Sequence, residues 1–199
     1  MAIVAIALPF VLLVSAWWVG MQDSMSAFYY TNMRNLFVGA IFAIGMCLYA
    51  YKGYNNRENT CLTVGGVFLF FVALFPTNPV GPDKEIAQWI PAVHYVSAIC
   101  FFALIGYVCV FARAHGLSSS DKGHDYNRDY SRTYNIIAIV MMTVLVFAIW
   151  TVSDALLGKE FKGTRIFWIE ASAIWTFAAY WIAKSQELNE LEQAIGANI

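Results

Sequence analysis

The sequence predicts an all-α protein, a single polytopic transmembrane helix bundle with six spans and both termini in the cytoplasm. Of the 199 residues, 60% are hydrophobic and only 13% are charged, about half of the roughly 25% found in soluble domains. The mean hydropathy is +0.58. So few polar residues cannot cover the surface of a water-soluble monomer, which excludes a soluble domain, a disordered tail and a disulfide-stapled secreted fold.

Six apolar runs justify the six spans, because a bilayer core of about 30 Å needs about 20 apolar residues per helix. The predicted spans are residues 3–20, 36–51, 61–75, 89–112, 134–156 and 165–184. The first is interpreted as a retained span, since it has no basic leader and no small-residue cleavage site. Residues 113–133 carry a serine run and alternating charges, which predict a mobile cytoplasmic loop. The acidic segment 185–193 is predicted to extend the sixth helix into water.

The 12 Lys and Arg residues predict the orientation of the bundle. Seven fall on the side of the termini: Lys52, Arg57, Arg113, Lys122, Arg128, Arg132 and Lys184. Five fall on the other side: Arg34, Lys84, Lys159, Lys162 and Arg165. The positive-inside rule therefore places both termini in the cytoplasm. The net charge of −1 provides no basic field for nucleic acid.

Four ionisable residues lie in or beside the spans on the outer side, although burying a charge costs at least about 2.5–3.5 kcal/mol. Arg34 opens the second helix and Asp154 closes the fifth. His94 and Glu170 each lie five residues into their helices, about 7–8 Å below the helix ends at about 1.5 Å per residue. The matching depths predict one polar site. The cytoplasmic half of the predicted spans holds nothing comparable.

Segment 24–35 is too polar for the bilayer core and too aromatic for a free loop, so we expect it to fold over the outer mouth of the bundle. The candidate binding residues are Tyr29, Tyr30, Thr31, Arg34, Asn35, His94, Asp154 and Glu170. Two simpler interpretations stay open. In one, Arg34 pairs with Asp154 or Glu170 and His94 bonds a neighbouring carboxylate; in the other, Arg34 and Asp154 only snorkel to the interface. Gly39, Gly45, Gly65 and Gly66 are predicted to allow close helix approach.

Three functions compete. The first is a binder of a lipid headgroup, a small amphiphile or a partner helix, so the expected partners are membrane lipids and a membrane protein. The second is a metal-independent intramembrane hydrolase or transferase, with His94 as base, Asp154 or Glu170 orienting it, and Ser24 or Ser26 as nucleophile. The third is an accessory subunit of a larger membrane complex.

A metal site and a cofactor are not predicted. Cys47, Cys61, Cys100 and Cys109 lack the spacing of metal ligands. A bis-histidine haem site needs two histidines in the spans, and the predicted spans contain one. A retinal linkage needs a lysine in the middle of a span, and the predicted spans contain none. A transporter is not favoured, because helices two, three and six show neither midplane polar residues nor breaks.

Segment 24–54 contains two runs that are typical of a known membrane family. They are Met33-Arg34-Asn35-Leu36-Phe37-Val38-Gly39 and Tyr51-Lys52-Gly53-Tyr54. Together with Ala73-Leu74-Phe75-Pro76-Thr77 and His94, this segment resembles an uncharacterised bacterial six-span membrane family, over most of the chain. The resemblance implies six helices, a bacterial inner membrane and a site near Arg34 and His94.

The chain is more distantly similar to two other membrane groups. One is the Frag/DRAM/Sfk group, which is linked to lipid handling. The other is the CREST superfamily of intramembrane hydrolases, in which three histidines hold a zinc ion. Here His115 and His124 fall in the predicted 113–133 loop and only His94 lies in a span, so the zinc site cannot be assembled from them.

Overall fold

The computed structural model describes the backbone of residues 1–53, 55–79, 86–118, 126–156 and 163–196. Within these ranges, the side chains of 111–118, 126–129, 131, 152–156 and 191–196 are not described. The described chain is all-helical, which confirms the predicted class. Its helices are α1 (Ala2–Val19), α2 (Arg34–Ala50), α3 (Asn56–Leu74), α4 (Trp89–Ser118), α5 (Tyr126–Leu156) and α6 (Arg165–Gly196). A short 3₁₀ helix, Ser26–Tyr30, lies between α1 and α2, and segment 23–31, which contains it, is called the entry turn below.

Five of the described helices are long and apolar enough to cross a membrane, namely α1, α3, α4, α5 and α6. Helix α2 is also apolar but has 17 residues, which at about 1.5 Å per residue is about 25 Å long. The bundle therefore has the composition of an integral membrane protein. Its large exposed side chains fit this interpretation, since α5 alone presents Ile136, Ile139, Val146 and Trp150 at its surface, where lipid is an apolar solvent.

Each helix packs against its neighbours in the chain, and α1 completes the arrangement by contacting both α2 and α6. Long-range contacts show that α3 and α4 run in opposite directions, because His94 near the start of α4 contacts the end of α3, and that α5 and α6 do so as well, because Tyr134 in the early part of α5 contacts Glu187 in the late part of α6. The start of α6 meets the entry turn through a hydrogen bond from the Phe167 N–H to the Asp23 carbonyl, whereas its later part meets the start of α3 through Lys184 and Glu58. We call the first region the turn end and the second the termini end.

The helix ends differ from the predicted span ends because hydropathy locates the part of a helix that suits lipid, not the whole helix. Helix α3 begins at Asn56 rather than at residue 61, and the Asn55 side chain caps it by accepting a hydrogen bond of 2.9 Å from the Glu58 N–H. Helix α4 continues to Ser118 and α5 begins at Tyr126. The predicted 113–133 loop was therefore wrong for 113–118 and 126–133, while 119–125 lie outside the described residues. The predicted helical continuation of the sixth span through 185–193 is confirmed, since α6 runs to Gly196, whereas its position in water stays a prediction.

Helices α2 and α3 cross at a pair of glycines. A Cβ added at Gly66 would lie 2.6 Å from the Gly45 carbonyl oxygen, and one added at Gly45 would lie 3.0 Å from that of Gly66. These distances confirm the predicted close approach for this pair. The prediction was wrong for Gly39, where a Cβ would meet nothing within 4 Å, and for Gly65, where it would make an ordinary 3.7 Å contact with Phe101.

Candidate functional site

The entry turn is built by hydroxyl groups that bond its own backbone. The Ser24 hydroxyl accepts a hydrogen bond of 3.0 Å from the Ala27 N–H, and the Thr31 hydroxyl donates one of 2.8 Å to the Phe28 carbonyl. Such local bonds let serine and threonine stabilise turns in place of longer helices. Met25, Ser26, Ala27 and Phe28 are buried, so the turn is inserted into the turn end of the bundle.

Glu170 anchors this turn to α6. One carboxylate oxygen accepts a hydrogen bond from the Met25 N–H, and the other accepts one of 2.7 Å from the Ser26 hydroxyl. Hydrogen bonds to an ionised group contribute about 1.5–3 kcal/mol each. The structure therefore brings together two of the sequence-predicted candidates, Ser26 and Glu170, and gives the Glu170 carboxylate two hydrogen-bond donors.

His94 lies against the carboxyl end of α3. Its side chain is 3% exposed, and its Nδ1 lies 2.8 Å from the Phe75 carbonyl oxygen and 3.1 Å from that of Val72. Both partners are acceptors, so Nδ1 must carry a proton and donate it. The last carbonyl groups of a helix lack partners within the helix, and His94 supplies one for α3. The hypothesis that His94 bonds a carboxylate was wrong for its described contacts.

Arg34 is exposed and contacts an aromatic ring instead of a carboxylate. Its guanidinium carbon lies 4.2 Å from the centre of the Tyr29 ring, and its Nη2 donates a hydrogen bond to the Tyr29 hydroxyl. The hypothesis of an Arg34–Glu170 ion pair was therefore wrong, because Glu170 is held by the entry turn. An Arg34–Asp154 pair stays a prediction, since the side chain of Asp154 lies outside the described residues.

The remaining candidates in segment 24–35 have separate partners. The Tyr30 hydroxyl donates a hydrogen bond to the Thr77 carbonyl, which ties the turn to the loop after α3. Burial and the neighbouring Tyr29 raise the pKa of Tyr30, so its phenol stays protonated and able to donate. Thr31 completes the turn as described above, its hydroxyl also accepting a hydrogen bond of 3.1 Å from the Met33 N–H. Asn35 is exposed.

Two cavities flank Glu170. The smaller, of about 70 Å³, lies among the entry turn, α2, α3, α4 and α6, and is lined by Ser26, His94 and Glu170 together with apolar side chains. The larger, of about 260 Å³, lies among α4, α5 and α6. Its lining includes Ser24, Asn78, Tyr95, Thr151 and Glu170 at the turn end and apolar residues such as Phe102, Met141 and Leu145. We call this larger space the α4–α6 cavity.

A second polar cluster, at the termini end, was missed by the sequence reasoning. Lys184 is 3% exposed and its Nζ lies 3.3 Å from Glu58 Oε1 and 3.7 Å from Glu187 Oε2. The Tyr134 hydroxyl donates a hydrogen bond of 2.6 Å to Glu187, and the Tyr180 hydroxyl donates one of 3.4 Å to Glu58. The available signal was the i, i+3 spacing of Lys184 and Glu187, which places both on one face of a helix.

Comparisons with protein-family models, with curated proteins and with solved structures give no match. The functional interpretation therefore depends on the chemistry of the two clusters and the two cavities. At the turn end, the described side chains offer hydrogen-bond acceptors beside an apolar space, an arrangement suited to holding a molecule with one polar end.

Proposed function

We propose that the protein is a six-span membrane protein that binds a lipid or another small amphiphile in the α4–α6 cavity. On this proposal α2 also crosses the membrane, which brings the number of spans from five to six. Both termini then lie in the cytoplasm, and the turn end faces the outer leaflet. The membrane would be a bacterial inner membrane, as the family resemblance implies. The single observation that carries the binding function is the composition of the cavity, polar at one end and apolar along the rest.

The polar and apolar parts of the cavity are separated along the helix axes. Thr151 and Met141 both line it and are ten residues apart on α5, or about 15 Å at about 1.5 Å per residue. Ser24 and Asn78 come from the connecting segments at the turn end. A molecule lying along this axis places its polar group near the membrane surface and its chain toward the bilayer centre, which is how an amphiphile lies in a membrane.

The described contacts favour binding over hydrolysis. A serine nucleophile needs its base within hydrogen-bond reach, at about 2.6–3.2 Å. The predicted base, His94, instead donates its Nδ1 proton to the end of α3, and the described hydrogen bonds of Ser24 and Ser26 go to the entry turn and to Glu170, not to His94. These groups are used to hold the fold together. The accessory-subunit hypothesis stays a prediction.

A pair of valines on α5 tests the proposal. Val144 lines the α4–α6 cavity, whereas Val146 is 63% exposed at the surface of the same helix. We expect Val144→Phe to fill the cavity and to weaken amphiphile binding at least about tenfold, a loss of about 1.4 kcal/mol. Val146→Phe adds the same volume on the lipid-facing side and serves as the matched control.

The measurement is mass spectrometry of the intact protein, released from lipid nanodiscs in the presence of a single-chain amphiphile, with counting of the bound molecules. The proposal requires a bound molecule that Val144→Phe removes and Val146→Phe retains. Equal occupancy in both variants would contradict it, because the bound molecule would then lie outside the α4–α6 cavity.

A further inference from the structure

We infer that the α4–α6 cavity selects a single-chain amphiphile whose head group donates hydrogen bonds, as a hydroxyl or an ammonium does, over one with an anionic head group. This inference rests on the proposed function and specifies its ligand. It follows from the size of the cavity and from the chemistry of its polar end.

The size of the α4–α6 cavity limits the ligand to one chain. Its volume is about 260 Å³, whereas pockets that enclose drug-sized ligands measure about 300–1,000 Å³. An engineered apolar cavity of about 150 Å³ holds one benzene ring. The α4–α6 cavity is therefore large enough for a single alkyl chain and too small for a diacyl lipid as a whole.

The polar end of the α4–α6 cavity combines one carboxylate with groups that both donate and accept hydrogen bonds. Glu170 supplies the carboxylate, Asn78 an amide, and Ser24 and Tyr95 hydroxyls. Glu170 is the one acidic or basic side chain among the described lining residues. A second anion placed beside it would be repelled in a medium of low dielectric constant, whereas a cation or a hydroxyl donor would be attracted.

Glu170 retains the capacity to bind such a donor. A carboxylate has about four acceptor sites, and the entry turn occupies one on each oxygen through the Met25 N–H and the Ser26 hydroxyl. The Met25 N–H can only donate, so the oxygen that it contacts is held as an acceptor. An ammonium head group would also supply a counter-charge to a carboxylate inside the span, where an unpaired charge is costly.

The test compares decylamine, decanol and decanoate, which share one chain length and differ in head group. Dissociation constants are measured by titration calorimetry on the protein in nanodiscs, with empty nanodiscs subtracted. We expect the wild-type protein to bind decylamine most tightly and decanoate at least about tenfold more weakly than decylamine. Glu170→Gln removes the charge and should reduce this ratio at least about tenfold.

Glu190→Gln is the matched control for Glu170→Gln. It makes the same chemical change at an exposed glutamate of α6 that accepts a hydrogen bond from Tyr130 at the termini end, so it should preserve the ratio of decylamine to decanoate affinity. Should Glu170→Gln fail to fold, the head-group series on the wild-type protein still decides the inference.

The outcomes separate this inference from the proposed function. Equal affinity of the wild-type protein for all three compounds, with all three lost in Val144→Phe, would overturn the head-group inference and leave the proposed function standing. Binding of all three that Val144→Phe does not weaken would overturn both. A preference for decanoate in the wild-type protein would show that Glu170 is not the head-group partner.

Discussion

Among single residues, the charged groups at the two ends of α6 are stabilised by different kinds of partner. At the turn end, Glu170 is stabilised by a backbone N–H and a hydroxyl, whereas at the termini end Lys184 is stabilised by carboxylates. Of these groups, the sequence pointed to Glu170 because a carboxylate in an apolar run stands out. Lys184 was counted only among the charges on the side of the termini, because it lies at the edge of its apolar run and one of its partners, Glu58, comes from another helix.

Removing the Lys184 charge should destabilise the protein strongly. Lys184→Met leaves the Glu58 carboxylate, 9% exposed, and the Glu187 carboxylate, 18% exposed, without their common cation. Breaking a buried pair costs about 3–5 kcal/mol of the free energy of unfolding. Lys52→Met, at an exposed lysine, should change it by less than about 0.5 kcal/mol. Thermal unfolding in detergent compares the two, and equal melting temperatures would show that the Lys184 cluster contributes nothing to stability.

Arg34 should contribute far less to the free energy of unfolding than a residue that neutralises a buried carboxylate does. Its described contacts are a hydrogen bond and a cation–π contact with Tyr29, and an exposed cation–π contact contributes about 0.5–1 kcal/mol. We expect Arg34→Ala to lower the free energy of unfolding by about this amount in the same melting experiment. A loss as large as that of Lys184→Met would point instead to a buried partner for Arg34, with Asp154 as the first residue to test.

At the scale of elements, the sequence predicted which segments are helical better than where they end. Hydropathy identified all six helices, because lipid and apolar packing both demand apolar side chains. It placed the start of α5 at residue 134 rather than at Tyr126, since an extramembrane helical turn needs no apolar residues. The mixed composition of segment 24–35 predicted that it covers one end of the bundle, but it predicted neither the burial of Met25–Phe28 nor the bonds to Glu170, which join residues about 145 positions apart.

The α2–α3 crossing should be destabilised by a side chain at Gly66 but not by one at Gly39. Gly66→Ala would place a methyl group 2.6 Å from the Gly45 carbonyl oxygen, so the two backbones must move apart, at a cost of about 1–3 kcal/mol. Gly39→Ala on α2 meets nothing within 4 Å and should stabilise the helix by up to about 1 kcal/mol, because alanine favours helix over glycine.

Thermal unfolding of the two glycine variants measures the loss of stability in Gly66→Ala and the gain in Gly39→Ala. The expected result is a lower melting temperature for Gly66→Ala and an unchanged or higher one for Gly39→Ala. If Gly39→Ala lowered the melting temperature and Gly66→Ala did not, the close contact between the α2 and α3 backbones could not be the reason that glycine is needed at position 66.

At the scale of the whole molecule, α6 connects two polar clusters through an apolar interior. Glu170 and Lys184 are 14 residues apart on α6, or about 21 Å at about 1.5 Å per residue. Aromatic side chains such as Phe101, Phe177 and Trp181 fill the space between the clusters. In the proposed six-span arrangement, a separation shorter than the roughly 30 Å of a bilayer core would place the turn-end cluster in one leaflet, and the orientation of the chain would decide which.

The orientation is predicted by the Lys and Arg distribution, seven residues on the termini side and five on the other. Asn32 and Asn189 are both exposed asparagines, the first beside the entry turn and the second in the C-terminal part of α6. We expect a single cysteine at Asn32 to react with a membrane-impermeant maleimide in intact cells, in a background where the four native cysteines are alanine. A single cysteine at Asn189 should react only after permeabilisation. The reverse pattern would place the turn end in the cytoplasm, and the α4–α6 cavity would then draw its ligand from the inner leaflet.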